Sequence, residues 1–518
     1  MNFPYLLRNV LLFVLTVSPL RAGDEKPAEE KPADKPAKPA EKPKEEKIDP
    51  AKLPLSVTRH EITVGDHALK YVATAGSMTL SKPDGDARAG VFYVAYTLGE
   101  IKKDAAGIAA GQARPVTFCF NGGPGSSAVW LHLGAFGPRR VLLPEGGTGT
   151  PKAPFQLVDN PYTLLETTDL VFVDPVSTGY SRPEKGQDPK QFHGFNEDVE
   201  SVGDFIRLYV SKNQRWNSPK FLMGESYGGI RSAGLAGHLQ SRYGMSLNGV
   251  IIVSGVLDFQ TLNGSGENDL AFICFLPTMS NVARYHKKLA PELLQDPVKT
   301  ALMAREFAQG VYASALLKGA SLPAAEKHAI AAQISEFTSL PEDLILRENL
   351  RVSPGLFFGK LLEKERQLVG RFDGRVVGDP EVGDPSYNNV YGAFASSLNA
   401  YIRGELRVKN DQPYEILSSQ VHPWNYDSFT NRYVNVAGTL SDAIQSNPSL
   451  RVYVACGHYD LATPADGIKY SFDHMPLNDK QRQNVQFSYY EGGHMMYTNL
   501  PELEKLSREL AAFVKAAQ

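Results

Sequence analysis

Apolar and polar positions change rhythm several times along the chain, and each rhythm predicts a different kind of element. Residues 10–17 form an apolar run, interrupted only by Thr16, behind a single cation, Arg8. Residues 23–50 mix Lys, Glu, Pro and Ala without an aromatic residue. Such a tract cannot bury enough surface to offset its chain entropy, so it predicts an extended, charged linker. Folded sequence is expected from about Leu53. The stretches 59–64, 68–73 and 91–98 alternate or run apolar with β-branched residues, and Gly65-Asp66 and Pro83-Asp84-Gly85 punctuate them. That pattern predicts an antiparallel set of strands.

A second rhythm follows. Residues 115–120, 169–173, 220–223 and 249–253 are short apolar runs, each ending in a loop rich in Gly, Ser or Pro. Before the third of them, residues 195–213 place Val199, Val202, Phe205, Ile206 and Tyr209 on one helical face. Continuous apolar strands alternating with helices predict an α/β chain on a largely parallel, buried sheet. Residues 259–431 break the pattern. Helix formers dominate 291–317 and 324–337, and Tyr, Asn and Pro accumulate toward the end, which predicts an inserted, mainly helical cap over the site. A helix over 434–445 returns to the sheet, strands resume at 449–455 and 485–490, and an amphipathic helix over 502–515 closes the chain. The expected organisation is a signal peptide over 1–22, the linker over 23–52, a first core segment over 53–258, the cap over 259–431 and a second core segment over 432–518.

Composition removes some function classes. The 518 residues are 42% hydrophobic and 21% charged, which is ordinary globular chemistry. A net charge of -3 supplies no basic field for nucleic acid or an anionic membrane. Arg8, the run 10–17, Pro19 and the small Ala22 predict an export signal too short to span a bilayer. The mature protein is therefore expected in the periplasm or outside the cell. No cysteine lies near the cleavage point, so no stable membrane anchor is expected. Cys119, Cys274 and Cys456 are the three cysteines, and two fall in apolar strand runs. They read as small core residues, with no structural disulfide. No Cys/His cluster has zinc spacing and no calcium loop is present, so neither metal nor cofactor is implied. Oligomeric state is not readable from these patterns.

Candidate chemistry sits at the ends of the predicted parallel strands. Behind the run 220–223 comes Gly224-Glu225-Ser226-Tyr227-Gly228, a G-x-S-x-G pattern between a strand and a helix. A serine in that sharp turn is held in a strained conformation that exposes its hydroxyl, and the following helix aims N–H groups at the same spot. Behind 115–120 comes Asn121-Gly122-Gly123-Pro124-Gly125-Ser126-Ser127, a loop whose backbone N–H groups can form an anion-binding nest. Asp460 and His494 follow the last two strands, and Gly492 and Gly493 leave the imidazole unobstructed. The order Ser, Asp, His is that of α/β-hydrolases, with nucleophile, orienting acid and general base. Among the eleven histidines His458 is the rival base, but it precedes Asp460 in the same loop; Asp466 is the rival acid, placed where it would cap a helix.

These motifs together resemble the serine carboxypeptidase family of α/β-hydrolases, here as a secreted bacterial member. The resemblance rests on NGGPGSS at 121–127, GESYG at 224–228, Asp460 in its loop and Gly493-His494-Met495, with Asn160-Pro161-Tyr162 and the stretch from Asp174-Pro175 to Gly179-Tyr180-Ser181 in support. It implies an α/β-hydrolase fold and a serine-type carboxypeptidase working through an acyl-enzyme on peptides or proteins with a free C-terminus. It also implies roles: Ser226, Asp460 and His494 as the triad, the N–H groups of Gly123 and Tyr227 as the oxyanion hole, and Asn121, the Gly122 N–H and Glu225 as ligands of the substrate carboxylate. Two close carboxyl groups cannot both ionise cheaply, so Glu225 implies acidic working conditions. Asn121 is expected to orient Glu225 with its amide. The chain departs from the family pattern at Ser126, where a cysteine is usual, in lacking a Gln after Asp174, and in having Met496-Tyr497 rather than Val-Pro after Met495. An esterase or acyltransferase on the same scaffold, and a non-catalytic binding protein, are the alternatives.

Overall fold

The computed structural model describes Asp49, residues 51–99 and residues 114–518. The expected signal peptide and the expected linker up to residue 48 lie outside the described residues. Ala51 and Leu53 are already buried.

A ten-stranded sheet forms the centre. Its long strands are β1 (Ser56–Val64), β2 (His67–Ser81), β3 (Ala87–Leu98), β4 (Val116–Phe120), β5 (Asp169–Val173), β6 (Lys220–Glu225), β7 (Gly249–Val253), β8 (Arg451–Gly457) and β9 (Val485–Tyr490). Their spatial order is β1-β2-β3-β5-β4-β6-β7-β8-β9, and the two-residue strand Arg182–Pro183 pairs beside β3. β1, β2, β3 and β5 pair antiparallel, whereas every contact from β5 to β9 is parallel. The burial patterns follow. β1 at the edge alternates exposed and covered positions, while β4, β5, β6 and β7 are buried at every residue because both faces are packed. β2 runs longer than its apolar pattern, to Ser81, because Tyr71 to Leu80 pair in register with β3 and Ser81 pairs beyond a one-residue shift.

Helices α1 (Phe195–Lys212), α2 (Gly228–Tyr243), α3 (Leu270–Tyr285), α4 (Pro385–Gly404), α5 (Ala437–Ser446) and α6 (Leu500–Ala516) carry most of the covering surface. Residues of α1, α2 and α5 pack in one apolar layer with β4 and β7, and residues of α4 and α6 in another. Between β7 and β8 the chain is mostly helical and has an apolar cluster of its own. Phe275, Met279, Phe307, Tyr312, Ile334 and Phe357 belong to it, and so do Tyr459 and Leu461, the residues on either side of Asp460. All three cysteines are buried and free. Among the described residues no helix is long and apolar enough to cross a membrane.

The strand order places the site. β4 lies between β5 and β6, so the chain moves to opposite sides of β4 in successive steps. The register pairs Phe120 with Gly224. The loop after β4 and the turn after β6 therefore leave the sheet side by side at its carboxyl end, the position where open α/β sheets gather ligands.

Candidate active site

β6 delivers Glu225 and then Ser226, which takes a left-handed φ of 63° before α2 begins at Gly228. That strain costs about 1–3 kcal/mol for a non-glycine residue. It is held by two hydrogen bonds, from the Ser226 N–H to the Val253 carbonyl at 3.1 Å and from the Gly229 N–H to the Ser226 carbonyl at 2.9 Å. The turn closes so tightly that a Cβ on Gly224 would lie 2.1 Å from the Gly228 carbonyl oxygen. Only glycine fits there.

The glycine loop leans on this turn. A Cβ on Gly122 would lie 2.4 Å from the Tyr227 nitrogen. Arg231 of α2 fixes the approach from behind. Its guanidinium pairs with Asp198 of α1 at 2.7 Å, both side chains buried, and donates to the Asn121 carbonyl. It also sits between the rings of Phe120 and Tyr227, 5.4 and 5.5 Å from their centroids. Asp174, after β5, accepts the Ala128 N–H at 2.9 Å and the Tyr414 hydroxyl at 3.0 Å, which anchors the far end of the loop. Among the described residues neither the Gly123 nor the Tyr227 N–H donates to another group, and both residues line the cavity that holds Ser226.

His494 lines the same cavity as Ser226. Its Nδ1 meets Asp460 Oδ2 at 2.8 Å. Asp460 in turn accepts the N–H groups of Ala462 at 2.8 Å and Thr463 at 3.0 Å, and the Thr463 hydroxyl lies 2.8 Å from its Oδ2. Burial works against a charged imidazole, but the Asp460 carboxylate and its hydrogen bond, with the Glu225 charge, hold the His494 pKa above its ordinary value. The Phe372 ring packs tilted against the imidazole at 5.2 Å, and the Phe372 carbonyl accepts the His494 N–H. The rivals are engaged elsewhere. His458 stacks on Tyr489 and faces Asn281, and Asp466 pairs with Arg305.

Glu225 is buried, and burial pushes its pKa up to about 7 against the opposing pull of the His494 charge and the Tyr497 hydroxyl. Here the structure corrects one expectation. The Asn121 side chain does not orient Glu225 by a formed hydrogen bond: its Oδ1 accepts the Leu131 N–H at 3.2 Å, and its Nδ2 is buried without a partner among the described residues. Glu225 is oriented instead by Tyr497, whose hydroxyl donates to Oε2 at 2.7 Å.

Asn121, Gly122, Gly123, Glu225, Ser226, Tyr227 and His494 all line one cavity of about 530 Å³, and Asp460 lies directly behind His494. Trp130, Phe259, Phe372, Tyr387, Val390 and Met495 supply its apolar walls. A hydroxyl on a strained turn, an imidazole backed by a carboxylate, and two free N–H groups are the parts of nucleophilic acyl transfer. Sequence reasoning missed Thr463, Tyr497, Arg231 and Arg371. Only Tyr497 left a trace, as a departure from the pattern after Met495.

The model of the family described as serine carboxypeptidase matches residues 107–507. The chain belongs to the serine carboxypeptidase family. The lysosomal protective protein of Mus musculus is 27% identical over 167 residues, a match that covers 31% of each chain. The match thus spans under a third of that relative. Among solved structures, a prohormone-processing carboxypeptidase from Saccharomyces cerevisiae aligns with a TM-score of 0.54 and 18% identity, covering 86% of this chain and 91% of that one. The fold is that of the α/β-hydrolases.

Proposed function

We propose that this serine carboxypeptidase family member removes C-terminal residues from peptides, through an acyl-enzyme on Ser226. The observation that supports it best is the company Ser226 keeps: a buried carboxyl group, Glu225, and a buried, unpartnered amide donor, Asn121 Nδ2, line the cavity with it. A neutral ester gives those groups nothing to hold. A peptide's terminal carboxylate accepts from Asn121 Nδ2, from the Gly122 N–H and from a protonated Glu225.

The chemistry then runs in two halves. Ser226 Oγ attacks the scissile carbonyl carbon while His494, with Nδ1 committed to Asp460, takes the serine proton at Nε2. The carbonyl oxygen becomes an oxyanion facing the N–H groups of Gly123 and Tyr227. When the C–N bond breaks, the imidazolium returns its proton to the leaving amine. Water, activated by the same imidazole, releases the acyl group. The segment 259–431 caps this site, and the export signal delivers the enzyme to the periplasm or beyond the cell.

Glu225 and His494 titrate as a pair, because each lies in the other's field. The productive state carries one proton between them, on Glu225, leaving the imidazole neutral. Substrate favours that state. Its carboxylate raises the Glu225 pKa further, and once Glu225 is neutral it no longer holds the His494 pKa up. Acidic pH therefore favours substrate capture, while falling pH eventually protonates His494 and slows turnover.

The test is one peptide offered as free acid and as C-terminal amide at mildly acidic pH. Charge-assisted bonds of about 1.5–3 kcal/mol each are lost with the charge, so kcat/KM falls by roughly a hundredfold or more on the amide. Equal rates on both would leave an esterase or an endopeptidase in place of this reading.

A further inference from the structure

The cavity holds a cation that the chemistry above does not use. Arg371 lines it together with Ser226, Glu225 and His494. Its backbone is bolted in place. The Arg371 N–H donates to Asp384 Oδ1 at 3.1 Å, the Phe372 N–H to Ser386 Oγ at 2.9 Å, and the Phe372 carbonyl receives the His494 N–H. The guanidinium lies over the Phe372 ring, 5.1 Å from its centroid, and that ring packs 5.2 Å from the imidazole of His494. Arg371, Phe372 and His494 are thus in contact one after another, with the Phe372 ring tilted 49° to the imidazole.

Three other arginines of the segment between β7 and β8 are neutralised. Arg375 pairs with Asp373 at 2.6 Å, Arg351 with Asp269 at 2.7 Å, and Arg305 with Asp466. Arg371 is not. Among the described residues its guanidinium meets no carboxylate and no hydrogen-bond acceptor, only the Phe372 face. Asp384 is close in the chain fold, but its Oδ1 already takes the N–H groups of Arg371 and Ser386 and the Ser386 hydroxyl. The other ionisable groups lining the cavity are Glu225, His422 and His494, with Tyr227 and Tyr387, whose phenols burial holds neutral. Glu225 is tied to Tyr497, and when it is protonated the cavity has no anion at all. Arg371 is exposed, and an unpaired guanidinium on the wall of such a cavity attracts an anion, its planar fork suiting a carboxylate.

We propose that Arg371 is a specificity determinant that pairs with an acidic side chain of the peptide, so that the enzyme favours Glu or Asp beside the scissile bond. The inference rests on the carboxypeptidase reading and adds a second anionic group to its substrate. The terminal carboxylate goes to Asn121, Gly122 and Glu225; the acidic side chain goes to Arg371.

The experiment compares free-acid peptides that differ only by Glu against Gln, placed on either side of the scissile bond, at pH 6. A glutamate side chain is ionised there and an arginine always is. The quantity read is the ratio of kcat/KM for Glu over Gln, at each position, in wild type, Arg371→Gln and Arg371→Glu. The wild type is expected to favour Glu by about fivefold or more at one position, as a partly exposed charge pair allows. Arg371→Gln brings the ratio to about one, and Arg371→Glu inverts it and creates a preference for Lys over Gln. Peptide turnover by the wild type with a ratio near one at both positions overturns this inference and leaves the carboxypeptidase reading standing. If Arg371→Gln instead erases the preference for free acid over amide and leaves the Glu/Gln ratio intact, Arg371 clamps the terminal carboxylate and the inference is again overturned. Failure of the wild type to cleave any of these peptides removes both readings.

Discussion

Asp460 and Glu225 are carboxyl groups buried to 1% and 3% exposure within the same site, yet their surroundings have opposite character. Asp460 sits in a loop that turns its backbone inward. Two N–H groups, the Thr463 hydroxyl and the His494 ring all converge on it. They replace the water that burial removed and solvate an anion. Glu225 ends a strand whose own N–H groups belong to the sheet, and the Tyr497 hydroxyl is the donor that reaches it. Burial dominates there and lifts the pKa to about 7. The contrast shows that depth alone does not set a carboxyl group's role. The number of donors the local backbone can turn toward it does. One carboxylate is suited to orienting a base, and the other to meeting a substrate carboxylate with a proton.

The most severe way to break the contrast is to remove the well-solvated charge. Asp460→Asn keeps the shape but reverses a donor and acceptor against His494 Nδ1, which favours the wrong tautomer. Turnover should fall by about 10⁴-fold, the cost known for this change in other triads. Steady-state kinetics at the pH optimum check it, and a loss below tenfold would show that the Asp460 contact does not orient the base.

Glu225→Gln removes the poorly solvated charge instead. In the wild type, KM should rise as pH passes about 7, because ionised Glu225 repels the terminal carboxylate. Gln cannot ionise, so the variant's KM should stay flat there. Stability should change as well. The folded pKa of about 7 lies above the ordinary glutamate value of 4.5, so Glu225 costs nothing below pH 4 and its full penalty above pH 7. That difference corresponds to roughly 3 kcal/mol. Relative to wild type, Glu225→Gln should therefore melt higher at pH 8 and no higher at pH 4. A variant no more stable at pH 8 would mean that Glu225 is not strained by its burial.

Much of this site was legible before any coordinates. Ser226, Asp460 and His494 each follow a short apolar strand, and glycines surround them, so strand ends and chain order marked them together. Their neighbours were not legible for a physical reason. Tyr497 reaches Glu225 across 272 residues, and Arg371 lies in a loop with no periodicity, so only tertiary packing brings either to the cavity. Asn121 makes no hydrogen bond to Glu225: its amide oxygen takes a local donor, and its Nδ2 is left without a partner among the described residues. The Leu131 N–H opens a helical turn, Leu131–Phe136, and lacks an earlier helical partner, so it takes Asn121 Oδ1. Periodicity locates the fold. It does not foresee competition among polar groups for one another.

The subtlest way to sharpen the contrast is to take the one donor from Glu225. Tyr497→Phe keeps the ring, which fills the space left by Gly134, where a Cβ would lie 2.6 Å from the Tyr497 ring. It loses only the hydroxyl. That hydroxyl donates to Oε2 and so favours the ionised carboxylate, and its own pKa is far too high for it to titrate. Without it the Glu225 pKa should rise further, by up to about one unit for a bond to a charged acceptor. The alkaline increase in KM should then begin at higher pH. At low pH the effect should have the other sign. In the wild type the Tyr497 bond occupies Oε2, so the acidic proton resides on Oε1, which makes no hydrogen bond to a described residue. The variant loses that preference between oxygens, and KM in acid should rise a few-fold. A purely structural defect would raise KM at every pH and leave the midpoint where it was. Adding Glu225→Gln to Tyr497→Phe should abolish the shift, because no group remains to titrate. A midpoint that stays fixed or moves downward in Tyr497→Phe would show that the hydroxyl does not govern Glu225.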